Sequence, residues 1–68
     1  NDAKTAMAML KEAAAHASER IKAGDRTYFT AVNLTAAQIL SDGFAEGLNG
    51  VIEEHRLPRR ALVLELSD

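Results

Sequence analysis

Apolar residues recur along this chain first at helical spacing, then as an unbroken run, then at helical spacing again, and finally as a second run. From Asp2 to Ala23 the residues Ala3, Ala6, Met7, Leu10, Ala14, Ala17 and Ile21 return every three or four positions, which is the spacing of one helical face. Asn1 or Asp2 can cap its start, and Gly24 stands where helices commonly end in the left-handed conformation. The stripe is narrow and rich in Ala and Met, so this helix is expected to lie close against a flat partner. Glu12, His16 and Arg20 succeed one another at i,i+4 steps on a second, polar face.

Gly24-Asp25-Arg26 signals a turn. Thr27 to Leu34 is then rich in β-branched and aromatic residues and nearly apolar on both faces, as in a strand covered on both sides within a parallel sheet. Thr35-Ala36-Ala37-Gln38 fits a capping box that opens a short helical turn through Leu40. Ser41-Asp42-Gly43 breaks that turn and can cap the next helix, expected over about 43–55 with Phe44, Leu48, Val51, Ile52 and His55 on one stripe. Arg56-Leu57-Pro58 ends it, because a residue before proline is pushed out of helical geometry. A second buried strand is expected over 61–66. Strand, helix and strand within about 40 residues make a βαβ unit, so the chain reads as one α/β domain with parallel strands.

Composition narrows what such a unit can be. The 68 residues contain no Cys, which removes disulfides, thiolate metal sites and a cysteine nucleophile. Of 32 apolar residues 13 are Ala, so material for an independent core is limited in a domain of a size that is marginal to begin with. Net charge is −2 and only three residues are aromatic, which argues against DNA as a partner. No charged-then-apolar leader and no membrane-length apolar run are present, so a cytoplasmic location is expected. The first residue is Asn rather than Met, as expected of an excised piece.

Each strand carries one polar residue near its C-terminal end. Side chains alternate across a strand, so Phe29, Ala31 and Asn33 share one face of the first strand, and Ala61, Val63 and Glu65 share one face of the second. Neighbouring strands lie about 4.8 Å apart. Asn33 and Glu65 on the same side would bring an amide oxygen and a carboxylate together at the C-terminal sheet edge, where α/β folds place ligands. Two oxygen donors suit a hard cation such as Mg²⁺, Mn²⁺ or Ca²⁺. Spacing alone equally allows a strand-end Glu facing solvent or an Arg, and an Asn that merely begins a turn.

Phe29-Thr30-Ala31-Val32-Asn33-Leu34-Thr35-Ala36-Ala37-Gln38-Ile39-Leu40 resembles the V-x-V-N-L-S-A-x-Q-L segment of EAL-domain proteins. The stretch from Glu53 through Leu57-Pro58 to Leu64-Glu65-Leu66-Ser67-Asp68 resembles their L-P-x-x-L-x-L-E-I-T-E segment, and residues 44–52 are similar to the helix between. The first helix resembles its family counterpart only loosely. The resemblance implies a TIM-like (β/α) barrel that hydrolyses cyclic di-GMP to the linear dinucleotide with Mg²⁺ or Mn²⁺. It assigns Asn33 and Glu65 as metal ligands and Asp68, Gln38 and Thr35 as supporting residues. Thr35 replaces the family's usual Ser and keeps the hydroxyl. Asp68 stands in place of a Glu that, by the same resemblance, steadies a loop, and keeps the charge on a shorter arm. The family's E-A-L glutamate, aspartate pair, later lysine and last glutamate match nothing in this chain. The chain is therefore expected to be about a quarter of a barrel of ~250 residues, inactive alone.

By the same resemblance its partners are cyclic di-GMP, the remainder of the barrel and other signalling domains, with a homodimer possible and the parent membrane-tethered or free. A catalytically degenerate receptor for the dinucleotide, or a free-standing interaction domain, are the alternatives. Other polar residues read more simply. His16 is expected on the solvated side of the first helix, His55 and Arg56 at a helix C-terminus where positive charge is favoured, and Arg56, Arg59 and Arg60 at the N-terminal end of the second strand, away from the ligand edge. Met7 and Met9 are expected to fill gaps at a packing interface.

Overall fold

A computed structural model describes residues 2–67, with Asp2 described in its backbone only. Helix α1 spans Asp2–Lys22, strand β1 Thr30–Leu34, a short helix α2 Ala36–Ile39, helix α3 Phe44–Glu54, and strand β2 Leu62–Leu66, preceded by a 3₁₀ turn at Arg59–Ala61. β1 and β2 pair in parallel, with Thr30 opposite Leu62 and Leu34 opposite Leu66. The protein is thus a mixed α/β structure with a two-stranded parallel sheet. Among the described residues no helix is long and apolar enough to cross a membrane. The expected caps at Asn1 and Asp2 lie outside what is described.

Both long helices cover one face of the sheet. Ala6 and Leu10 of α1 are buried with Val32, Leu34 and Phe44, while Ala14 and Ala17 are buried with Val51, Leu57, Ala61 and Leu62. The alanine stripe lets α1 come close to α3: a Cβ placed on Gly47 would stand 2.6 Å from the Met7 methyl carbon. Met7 therefore fills the interface as its spacing suggests. Met9 does not; it is 36% exposed, because it lies off the stripe. Ala3 is exposed too, and Ser18 is buried at 7%.

Of the two apolar faces read from the sequence, only one is covered within this chain. Ala31, Asn33, Val63 and Glu65 are all exposed, and Phe29 is 59% exposed. The two helices of this chain can reach one side of a two-stranded ribbon and no further layer is present on the other. The apolar run therefore reflects a sheet surface that this chain alone leaves open.

Element ends shift for local reasons. β1 begins at Thr30 rather than Thr27, because Arg26 and Tyr28 donate backbone hydrogen bonds to Gly24 and Asp25 and hold that stretch in turns. Ala61 is taken into the 3₁₀ turn, its N–H bonded to the Pro58 carbonyl, and is buried rather than sharing a face with Val63 and Glu65. The Ser41 hydroxyl donates to the Gln38 carbonyl at 2.7 Å and so closes α2, instead of capping α3, whose N-cap Gly43 has no side-chain cap.

α1 and α3 end in the same way. In each, the two N–H groups after the helix fold back on its last carbonyls: Asp25 to Arg20 and Gly24 to Ile21 after α1, Leu57 to Ile52 and Arg56 to Glu53 after α3. This arrangement needs a left-handed residue. Gly24 supplies it at φ 111°, whereas after α3 it is Arg56 at φ 51°. An L-residue with a Cβ is strained there by about 1–2 kcal/mol, partly offset by the greater freedom of glycine in the unfolded chain. Arg56→Gly should accordingly raise stability by about 0.5 kcal/mol, read as a higher urea midpoint with unchanged slope; a lower midpoint would show that the Arg56 side chain contributes more than its backbone costs.

Candidate functional site

The parallel register places Asn33 directly opposite Glu65. Both side chains are exposed and lie on the sheet face turned away from the helices. One residue further along, the Ser67 N–H donates to the Leu34 carbonyl at 2.7 Å, with the Ser67 hydroxyl 3.5 Å from the same oxygen. The chain after β2 is thereby tied to the end of β1, so the two strand ends carrying Asn33 and Glu65 are held together. Asp68 lies outside the described residues.

The turn after β1 is fixed by its own polar groups. The Gln38 N–H donates to Thr35 Oγ1 at 3.1 Å, and the Thr35 N–H donates to Gln38 Oε1 at 2.8 Å. This reciprocal pair is the capping box expected from the sequence. Gln38 is 8% exposed; its amide is thus buried and bonded beneath the turn that leaves Asn33. Thr35 and Gln38 have a structural role in aiming that turn; Gln38 is buried, while Thr35 is exposed.

The Leu34 carbonyl points to β2. Alternation along the strand then turns the N–H and C=O of Ala31 and Asn33 to the other, unpaired edge of β1. A groove of about 440 Å³ runs along this edge, between Ala31, Val32 and Asn33 on the strand and Met9, Glu12, Ala13 and His16 on α1. Its side chains were not evident as a group in the sequence, since only the packing of α1 over β1 brings Glu12 and His16 to the side of Asn33. His16 also meets the Tyr28 ring edge-on at 5.5 Å, and Arg20 approaches the same ring at 5.7 Å while pairing with Asp25 at 3.1 Å.

Asn33 and Glu65 offer oxygen donors only, on adjacent strands and open to solvent, which fits a hard divalent cation with remaining positions filled by water or other groups. They supply two ligands; among the described residues no cluster of three or more His, Cys, Asp or Glu is placed to hold a metal. The basic residues do not join them. Arg56, Arg59 and Arg60 lie before β2, at the opposite end of the strands, and His55 Nδ1 donates to the Val51 carbonyl at 3.0 Å at the end of α3. Comparison with protein-family models, curated proteins and solved structures returns no match for this chain.

Proposed function

We propose that this chain is part of an EAL-type (β/α) barrel whose complete domain hydrolyses cyclic di-GMP, with Asn33 and Glu65 contributing two of the ligands of a Mg²⁺ or Mn²⁺ ion. The observation that carries the reading is the pairing of Asn33 with Glu65 at the C-terminal ends of adjacent parallel strands, on the face away from the helices. That is the inner, ligand-bearing side when such strands close into a barrel. The open face would look into the barrel interior, and the unpaired edge of β1 is where a further strand would pair. The two motif segments around Asn33 and Glu65 add the family resemblance.

When bound, the cation would lower the pKa of a coordinated water and stabilise charge on the phosphoryl oxygens. This chain's residues do the holding. Glu65 brings negative charge that the phosphates of the dinucleotide would otherwise meet as repulsion, and so directs the site toward cation-bridged binding. Asn33 adds a neutral oxygen dipole and leaves the charge of the site unchanged. The Thr35–Gln38 cap keeps the backbone after Asn33 in one conformation. Remaining ligands belong to the rest of the barrel, and other signalling domains in the bacterial cytoplasm would govern its activity.

Two measurements test this. In the 68-residue chain, Mn²⁺ should broaden the amide and side-chain resonances of Asn33 and Glu65 before those of Glu46 or Glu53. In the complete barrel, cyclic di-GMP should be linearised only with Mg²⁺ or Mn²⁺ present. Broadening centred elsewhere, together with a barrel that ignores the dinucleotide, would overturn the reading. Tight dinucleotide binding without turnover would identify the receptor form instead.

A further inference from the structure

The chain contains two methionines, Met7 and Met9, and the packing of α1 treats them differently. Met9 is 36% exposed, where α1 borders the unpaired edge of β1. Met7 is half-buried and packs against both clusters of the core, the one around Leu10 and Leu34 and the one around Ala14 and Val51. The two halves of the interior meet on its side chain.

The seat of Met7 is a glycine. A Cβ at Gly47 would stand 2.6 Å from the Met7 methyl carbon and 3.0 Å from its sulfur, whereas a Cβ at Gly50, three residues on, would meet nothing within 4 Å. Glycine weakens a helix interior; at position 47 it gives the thioether room against the α3 backbone. The Gly47 N–H is bonded to the Gly43 carbonyl at 2.9 Å, so the backbone that the sulfur faces offers no free donor. A thioether, apolar and only a weak acceptor, suits that surface. A sulfoxide does not, because it puts a polar oxygen on the same sulfur. Kept within the contact, that oxygen is a polar group without a partner; drawn out to water, it leaves a void between the helices. Either way the contact between α1 and α3 weakens. Since α3 is the crossover between β1 and β2, that contact also supports the strand pair carrying Asn33 and Glu65.

We infer that Met7 is an oxidation-sensitive latch between α1 and α3, which hydrogen peroxide opens by converting the thioether to the sulfoxide. The sulfur lone pair attacks one peroxide oxygen, and the O–O bond breaks as the S–O bond forms. The transferred oxygen's proton passes to the departing hydroxide, which leaves as water; the sulfur loses two electrons and the peroxide gains them. Met9, outside both clusters, takes the same oxygen without structural consequence. The inference rests on the contact between α1 and α3, both within this chain, and is independent of the phosphodiesterase reading.

The test uses the full-length protein as wild type, Met7→Leu and Met9→Leu, leucine being close to methionine in volume. Each is treated with increasing hydrogen peroxide, and sulfoxide at each position is quantified by peptide mass spectrometry. Amide hydrogen exchange of the α1 and α3 peptides is followed together with the melting temperature. Once Met7 is oxidised, wild type and Met9→Leu should exchange roughly five- to thirtyfold faster in α1 and α3 and melt about 2–4 °C lower. Met7→Leu should keep its slow exchange at the same dose, and a methionine sulfoxide reductase should restore the oxidised wild type. The exchange readout is local, so methionines elsewhere in the protein do not enter it. Unchanged exchange in α1 and α3 after Met7 is oxidised would overturn the inference. So would an equal rise in Met7→Leu, or a Met7 that stays reduced when Met9 is fully oxidised.

Discussion

Leu34→Ala should destabilise the chain by about 3 kcal/mol, the cost of removing a fully buried leucine and leaving a cavity. Leu34 is at 0% exposure, in contact with the cluster of Ala6, Leu10, Val32 and Phe44. Its position joins the two halves of the fold: its side chain fills the interior between α1 and α3, and its carbonyl receives the Ser67 N–H. Native domains have only about 5–15 kcal/mol of stability in total, so such a loss is a large fraction of it. Urea unfolding followed by circular dichroism at 222 nm measures it. Leu66, 68% exposed on the neighbouring strand, is the control, and Leu66→Ala should cost less than about 0.5 kcal/mol. Equal effects for the two substitutions would mean that the helices do not cover the face of the sheet that carries Leu34.

Glu65→Gln should lower hydrolysis of cyclic di-GMP by roughly 10²–10³-fold in the complete barrel, equivalent to about 3–4 kcal/mol of barrier. The substitution keeps size and one oxygen but removes the charge that Glu65 contributes to cation binding. Because Glu65 is exposed on the open face and its carboxylate makes no hydrogen bond or ion pair among the described residues, its loss should leave stability within about 0.5 kcal/mol of the parent. The two effects separate a ligand from a structural residue. Raising the Mg²⁺ concentration should restore part of the activity, since a weakened site fills again by mass action. Glu46→Gln, an exposed carboxylate on α3, should leave turnover unchanged. Full activity in Glu65→Gln would remove this residue from the site.

The capping box shows how far local chemistry reaches. Thr35 and Gln38 are three residues apart, and their mutual bonds need nothing but the backbone between them, so the sequence predicted them correctly. Gly24 is similar: a turn after a helix stripe demands a left-handed residue within a few positions. Arg56 shows the opposite. Its left-handed backbone comes from where α3 must end to deliver Leu57 to the core and Pro58 to the approach of β2, and no local preference of arginine announces it. Ser41 differs again, because its hydroxyl had two helix ends within reach and closed the earlier one.

The candidate site divides along the same line. That Asn33 and Glu65 are the polar residues of two otherwise apolar strands can be read directly from the chain, as can the side of each strand they occupy, because alternation is a property of a single strand. Their juxtaposition depends on register, which arises between strands and is set by the packing of Val32, Leu34 and Leu62 beneath the helices. Whether an apolar face is covered is also a matter of what else is present: α1 and α3 cover one side, and Phe29, Ala31 and Val63 remain open on the other. Local order along the chain therefore specified the helices, strands, caps and alternation. The register, the open face and the groove beside α1 arose from contacts between segments distant in sequence, which no short-range rule contains.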